Sequence, residues 1–220
     1  VFGANFIGRM SGKVVEAFVA KADLLAASPA YSDQSGVDWK TAAASAAKVL
    51  NHIGGVDGMD PTGWTWYCNV DDIEKLSPTE SPAEILWRGE RAKSLSLEED
   101  NFPPTLYGNG RINPTQNLVD AFPMLNGYPV SHLSGEYDEN LPYANRDPRL
   151  EAYILYNGCK AGNTNKEIFT AADGTTNDAL NKVVGRSTRT GYYLRKLLRQ
   201  DISLDPNAKA DQYHYTPRIR

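Results

Sequence analysis

Apolar residues repeat at helical spacing near the start of the chain. From about Lys13 to Ala27 they fall on one face, with Val15 and Val19 beside that face. The apolar positions on the face are Val14, Phe18, Ala22 and Leu25. Ser28-Pro29 ends the segment, because the residue before a proline disfavours the helical conformation. The pattern predicts one amphipathic helix here.

A second helix is predicted after a polar loop. Asp38 suits the N-cap position, because its carboxylate can accept hydrogen bonds from the free amides of the first turn. Apolar residues then recur at steps of four and three from Trp39 to Ile53. Gly54-Gly55 is typical of a helix that ends in the left-handed conformation. The sequence therefore predicts two consecutive helices, which are separated by a proline-marked break and a polar loop.

This helix pair resembles a tetratricopeptide-like hairpin, which we place at residues 11–55. Alanines are frequent in it, and small side chains let two helices pack closely. One such pair cannot cover its own apolar faces, so we expect further helices outside the segment.

Regular patterns are short and scattered from residue 56 onward. Asn113-Pro114-Thr115-Gln116 predicts a helix start with Asn113 as the cap and Gln116 in a capping box. Short strands are predicted at Glu84–Arg91 and Ala152–Tyr156, and a strand or turn at Thr190–Leu198. Asn126-Gly127 predicts a tight turn. The fold class is therefore mainly α, with tetratricopeptide-like helix pairs and a loop-rich region that holds a few short strands.

The net charge and the length of the apolar runs restrict the kinds of partner that we expect for this chain. The formal net charge of -4 gives no basic footprint for nucleic acid or for an anionic membrane surface. No apolar run approaches the roughly 20 residues that a membrane-spanning helix needs. The chain opens on Val1 without an initiator methionine, a signal peptide or an acylation cysteine. We expect a fragment, incomplete at both ends, whose targeting signals lie outside it.

The two cysteines leave two possibilities open. Cys68 and Cys159 have no zinc-ligand spacing. They would form one disulfide in an oxidising compartment, or remain two buried thiols.

The sequence contains no pattern that is typical of a catalytic site. The three histidines, His52, His132 and His214, are far apart and belong to no metal-binding motif. The paired acids Asp71-Asp72 and the run Glu98-Glu99-Asp100 are typical of solvated loops. We therefore expect no catalytic residue, no metal ligand and no cofactor.

Two loops carry the residue types that bind sugars. Sugars offer flat C–H faces to aromatic rings, and their hydroxyl groups pair with planar amides, carboxylates and guanidinium groups. The first loop contributes Trp64, Trp66, Tyr67 and Asn69. The second contributes Tyr107 and Asn109 on a glycine-rich backbone that we expect to be flexible. Each Trp could instead be a core or loop anchor, as could Trp87.

Three further stretches carry a family resemblance. They are Pro114–Gly127 (PTQNLVDAFPMLNG), Tyr143–Leu150 (YANRDPRL) and Thr190–Lys196 (TGYYLRK). In their order and spacing they resemble the SusD/RagB family of outer-membrane nutrient-binding lipoproteins. The opening helix also resembles a family helix. The resemblance implies one SusD-like domain over residues 1–220, with 56–220 as a loop-rich ligand-binding part.

The resemblance also implies a function. A member of this family would be lipid-anchored through a segment outside this chain and would face outward from the bacterial outer membrane. It would bind oligosaccharides without cleaving them and deliver them to a SusC-like TonB-dependent transporter. Two alternatives remain open: a RagB-like peptide-binding uptake protein, and a helical-repeat interaction scaffold without a small ligand. Family binding residues vary with the nutrient, so the six candidates above come only from the chemistry of the loops.

Overall fold

The computed structural model describes residues 8–65, 82–89, 92–214 and 217–219. Its helices are α1 (Gly12–Ala26), α2 (Ser32–Ser35), α3 (Trp39–Asn51), α4 (Ser96–Asn101), α5 (Gln116–Ala121) and α6 (Pro148–Tyr153). Single 3₁₀ turns occupy Val56–Gly58, Gly63–Thr65, Pro104–Leu106 and Leu133–Gly135. None of the described helices has both the length and the apolar character of a membrane span.

The strands are short, at two or three residues each. They are β1 (Trp87–Arg88), β2 (Ala92–Ser94), β3 (Ile154–Leu155), β4 (Lys160–Ala161), β5 (Lys166–Glu167), β6 (Tyr193–Leu194), β7 (Gln212–His214) and β8 (Pro217–Ile219). They form two-stranded sheets, and β1 with β8, β3 with β6 and β4 with β5 are antiparallel pairs. The expected fold class, mainly α with a few short strands, is confirmed.

The chain divides into two compact units. The first draws on Val1–Gly63, Glu74–Ala92 and Tyr213–Arg220, and the second on Trp64–Ile73 and Lys93–Gln212, each through its described residues.

The first unit is built around the antiparallel helices α1 and α3. Asp38 caps α3 as predicted, since its Oδ1 accepts from the Thr41 amide at 2.8 Å. Ser45 donates to the Asp23 carboxylate at 2.5 Å. At the other end of the pair, Glu16 binds Lys48 at 2.9 Å and also hydrogen-bonds His52. The two helices are therefore tied to each other at both ends.

The apolar face predicted for α1 is only partly the one that packs. Val14 and Ala17 are buried against α3 and against Leu86 and Trp87. The other large apolar side chains predicted on that face or beside it stay exposed, among them Val15, Phe18, Val19 and Leu25. Small side chains take the contact with α3 because they let the helix axes approach. Trp87 is an anchor here, because its Nε1 donates to the Gly8 carbonyl at 2.7 Å.

The second unit contains the main core. Its buried members are Leu95, Phe102, Leu106, Leu155, Cys159, Ala161, Ile168, Tyr193, Leu198, Ile202 and Leu204. The β3–β6 pair places Leu155 opposite Tyr193 and runs through this core. A neighbouring cluster joins α5 to α6 through Val119 and Leu150, with Ile154 and Tyr192. Short elements are held here by a shared apolar centre and not by long ladders of backbone hydrogen bonds.

Four local predictions need correction. The strand expected at Ala152–Tyr156 is only Ile154–Leu155, because Asp147 caps α6 and Pro148 begins it, which extends the helix to Tyr153. Thr115, and not Asn113, caps α5. Gln116 bonds Asp120 instead of reaching back to the cap. Among the described residues of Glu84–Arg91, a strand forms only at Trp87–Arg88.

Cys159 carries a free thiol and is buried. Its Sγ accepts a hydrogen bond from the Tyr156 amide at 3.3 Å. Burial raises the pKa of this thiol to about 11. Of the two possibilities left open by the sequence, the structure therefore has the free thiol at Cys159, while Cys68 lies outside the described residues.

Candidate functional site

The six candidate residues have different outcomes. Trp66, Tyr67 and Asn69 lie outside the described residues. Trp64 is half-buried in the 3₁₀ turn Gly63–Thr65. Tyr107 and Asn109 belong to one loop between α4 and α5, and the rest of the site description concerns that loop.

Tyr107 is an exposed ring on a constrained backbone. Its side chain is 56% exposed, and its φ of 64° lies in the left-handed region. The residue follows the turn Pro104–Leu106, and its amide donates to the Pro104 carbonyl at 2.9 Å. A non-glycine residue at positive φ is strained by Cβ sterics and persists only where its surroundings impose that conformation. Such strain is common at ligand-binding sites.

The sequence predicts a flexible loop backbone, but hydrogen bonds hold this backbone in place. The amides of Asn109, Gly110 and Arg111 donate to the carbonyls of Glu99, Phe102 and Asp100 at 2.8, 3.0 and 3.0 Å. Gly108 is buried, and a Cβ added there would lie 2.1 Å from the Phe102 carbonyl oxygen. The glycine is needed for close packing of the loop against α4 and not for mobility.

The amide of Asn109 is held by a residue that the sequence did not suggest. Arg186 donates from Nε to the Asn109 Oδ1 at 3.0 Å, although the two residues are 77 positions apart. This bond uses the acceptor of the carboxamide and leaves its Nδ2 donor without a hydrogen bond within the described part of the chain. Arg111, in the same loop, pairs with Asp100 at 3.3 Å.

We call Tyr107, Asn109, Arg186, Asp100 and Arg111 the Tyr107 surface. It combines one exposed phenol ring with amide, guanidinium and carboxylate groups; Arg111 pairs with Asp100, and Arg186 binds the Asn109 carboxamide. A ring of this kind stacks on the C–H face of a sugar, and the planar polar groups bind hydroxyl groups. The arrangement contains no nucleophile with an activating base. Among the described residues, no group of three or more His, Cys, Asp or Glu side chains is placed to hold a metal ion.

The sequence motifs form the scaffold behind this surface. Arg146, within the NRDPRL stretch, donates from Nη2 to the carbonyls of Val119 and Phe122, both at 2.7 Å. It also donates from Nη1 to the Pro142 carbonyl at 2.9 Å. Arg146 therefore closes the C-terminal end of α5 and fixes the loop that precedes α6.

The TGYYLRK stretch is held in a similar way. The Thr188 hydroxyl oxygen accepts from the amides of Thr190, Gly191 and Tyr192, each at 3.1 Å. The Tyr193 hydroxyl donates to the Asp178 carbonyl and accepts from the Thr188 amide, both at 2.9 Å. Burial raises the pKa of Tyr193, so this hydroxyl stays protonated and keeps both bonds.

This fold is shared with several solved structures, among them two SusD-like proteins. One is described as a SusD-like carbohydrate binding protein from Bacteroides fragilis NCTC 9343; its alignment has a TM-score of 0.64 and 20% identity. That alignment covers 99% of this chain and 39% of the other. The second is a SusD-like protein from the same organism, with a TM-score of 0.68 and 22% identity over 100% of this chain and 42% of the other. The chain thus spans about two fifths of the length of these structures.

The fold is that of SusD-like proteins, and the sequence agrees. A family model described as SusD family matches residues 86–220, which include all three motifs. The chain belongs to the SusD family. No protein with curated annotation matches the chain.

Proposed function

We propose that this protein binds oligosaccharides at the surface of a bacterial cell, does not cleave them, and delivers them to a SusC-like TonB-dependent transporter. Membership of the SusD family over residues 86–220 is the observation that supports this most strongly. One of the two structural neighbours is itself described as carbohydrate binding. The Tyr107 surface supplies the chemistry that such a ligand requires.

In this proposal the Tyr107 ring stacks on one face of a sugar residue. The free Nδ2 of Asn109 donates to a ring hydroxyl, and Arg186 keeps the carboxamide in that orientation. Because the loop is fixed before the ligand arrives, little conformational entropy is lost on binding. Trp64, Trp66, Tyr67 and Asn69 would contribute a second aromatic contact to the same class of ligand.

The test is isothermal calorimetry of the purified protein against soluble oligosaccharides, with a matched panel of peptides. The panel contains malto-, cello-, xylo-, manno- and chito-oligosaccharides. For the oligosaccharide that binds, Tyr107→Ala should weaken the affinity about tenfold, which corresponds to roughly 1.4 kcal/mol. Tyr107→Phe keeps the ring and should bind almost as the unchanged protein does.

Tyr31→Ala is the matched control, because Tyr31 is a tyrosine of similar exposure (50%) in the other unit. Equal losses in Tyr107→Ala and Tyr31→Ala would reject the Tyr107 surface as the site. Saturable binding of peptides with no response to any oligosaccharide would instead support a peptide-uptake protein. A lack of response to both panels would favour a helical-repeat scaffold without a small ligand.

The remaining parts of the proposal have separate tests. Chromatography of the oligosaccharide after long incubation should find its length unchanged if the protein is not a hydrolase. Fractionation of cells and digestion by external protease should find the protein at the outer surface. Co-expression with a SusC-like transporter should give a complex that co-purifies and survives gel filtration.

A further inference from the structure

A cavity of about 270 Å³ lies in the second unit, away in sequence from the Tyr107 loop. It is lined by Met124, Leu125, Asn126, Gly135, Glu136 and Asn145. Ligand pockets for drug-sized molecules measure roughly 300–1,000 Å³. This cavity is therefore of the size expected for one or two small rings.

The cavity is preformed by a tightly bonded loop. Met124 donates its amide to the Tyr128 carbonyl at 2.8 Å, and Leu125 donates to the Asn145 carbonyl at 2.7 Å. The Asn126 side chain donates to the Ser134 carbonyl at 2.8 Å and accepts from the Tyr128 amide at 3.2 Å. Both polar groups of Asn126 are thus engaged, and this residue builds the wall instead of binding a ligand.

Gly135 lets the loop pack closely against Pro129 and Met124 beside the cavity. It is buried, and a Cβ added there would lie 2.8 Å from the Pro129 carbonyl oxygen and 3.2 Å from the Met124 Cγ. Nearby, the rings of Tyr128 and His132 are stacked with centroids 4.7 Å apart. These contacts fix the shape of the loop around Met124.

Two other polar side chains of the lining remain available. The Glu136 carboxylate and the Asn145 carboxamide are exposed and make no hydrogen bond among the described residues. Both residues have left-handed backbones, with φ of 58° and 52°. Asparagine adopts this conformation readily, whereas for Glu136 it is strained by the Cβ sterics of an ordinary L residue.

The chemistry of the lining selects the ligand. Leu125 is 68% exposed and offers an apolar surface next to the buried Met124. A carboxylate only accepts hydrogen bonds, so the ligand must donate, as adjacent hydroxyl groups of a sugar do. Residues 124–145 contain Glu136, Asp138 and Glu139 and no lysine or arginine. Anionic sugars are therefore repelled.

We propose that this cavity is a second carbohydrate site, which takes a single uncharged sugar residue with its C–H face on Leu125 and its hydroxyl groups on Glu136 and Asn145. The inference assumes the saccharide ligand class of the proposed function, but it does not depend on the Tyr107 surface. Two separate sites would let one oligosaccharide be held at two points, or two chains be held at once.

The test locates binding by nuclear magnetic resonance of the purified protein with ¹³C-labelled leucine methyl groups. The probes are methyl glucoside, methyl mannoside, methyl galactoside, glucuronic acid and the dipeptide lysyl-glycine. At least one methyl glycoside should shift the Leu125 methyl resonances with saturation, and glucuronic acid should not. Leu133, which is 98% exposed in the same loop, supplies internal reference resonances that stay in place.

Variants of the lining residues then test whether the cavity itself holds the glycoside. Glu136→Gln should weaken the bound glycoside at least tenfold, and Asn145→Gly should do the same while tolerating the positive φ. Glu139→Gln removes an equal charge from the same loop outside the cavity and should leave the affinity measured at the Leu125 methyl groups unchanged.

Other outcomes would overturn the inference without deciding the proposed function. Equal losses of glycoside affinity in Glu136→Gln and Glu139→Gln would show that the overall negative charge of the loop, and not a contact in the cavity, accounts for the effect. A Leu125 shift with lysyl-glycine and none with glycosides would make the cavity an amine site. No shift with any probe, while oligosaccharides still bind the protein and depend on Tyr107, would reject the second site alone.

Discussion

Arg146 donates from Nη2 to the carbonyl oxygen of Val119 at 2.7 Å, and the two residues are 27 positions apart. A carbonyl in the last turn of a helix has no partner inside that helix. The Phe122 amide, just past the helix, donates to the Val119 carbonyl at 3.3 Å, and the Arg146 guanidinium group supplies a second donor. The same buried side chain also donates to the carbonyls of Phe122 and Pro142. One motif therefore fixes the end of α5 relative to the loop that bears the cavity.

Arg146→Lys should lower the free energy of unfolding by about 3 kcal/mol. Lysine cannot reproduce the planar fork, so the Phe122 and Pro142 carbonyls would lose their donor and the Val119 carbonyl would keep only the Phe122 amide. Urea denaturation followed by circular dichroism measures the change. Arg149→Lys in the same motif is the control, because Arg149 pairs with Asp147 at the surface and should lose under about 1 kcal/mol. Similar losses in both variants would contradict this role for Arg146.

Thr188→Val should lower the free energy of unfolding by about 2 kcal/mol, and Thr188→Ser by well under half of that. Valine has nearly the shape of threonine but no hydroxyl group, so three amides and the Tyr192 carbonyl would lose their partner in a buried site. Serine keeps the hydroxyl group. Thermal unfolding of the three proteins gives the order, and equal melting temperatures for Val and Ser would show that the hydroxyl bonds contribute nothing.

The sequence predicted the elements whose signals are local. The Asp38 cap, the turn at Asn126-Gly127 and the helical spacing of α1 depend on residues within a few positions of one another, and all three are present. It failed where the deciding neighbour is distant in the chain. Ala17 and not Phe18 faces α3, because the approach of two helices is set by both partners.

The candidate site, too, is predictable from the sequence only where the signals are local. Tyr107 could be chosen from residue type and loop composition, but the Arg186 contact to Asn109 joins positions 77 apart and leaves no local signal. The glycines beside Tyr107 predict flexibility, whereas Gly108 lets the backbone pack against Phe102 and Gly110 lets it pack against Arg186 and Tyr193. The cavity at Glu136 and Asn145 depends on two left-handed residues, which single-sequence patterns do not predict for glutamate.

Tyr107→Gly should be more stable than Tyr107→Ala by about 1 kcal/mol. Glycine in place of alanine ordinarily destabilises a fold, because it has more freedom in the unfolded chain. At a φ of 64° the order reverses, since only glycine avoids the steric conflict of Cβ. Both variants lack the ring, so both should lose oligosaccharide affinity equally. Calorimetric melting and binding titrations on the pair measure the two effects; an alanine variant as stable as the glycine variant would argue against strain at this position.

Asp178 should make the protein less stable as the pH rises. Its carboxyl group is fully buried, and this burial raises its pKa in the folded protein above the usual value, despite a hydrogen bond of 2.7 Å from the Thr105 amide. Between the unfolded and the folded pKa the native state binds more protons than the unfolded state. The free energy of unfolding therefore falls through that window and stays lower above it.

Asp178→Asn removes this titration and keeps an oxygen that can accept from Thr105. Urea denaturation of both proteins from pH 4 to pH 8 should give a difference that moves in favour of the asparagine variant as the pH increases. The change arises because the charged carboxylate must be buried only in the unchanged protein. Parallel stability curves would mean that Asp178 titrates alike in the folded and unfolded chains, and that the desolvation of its carboxylate is compensated by its neighbours.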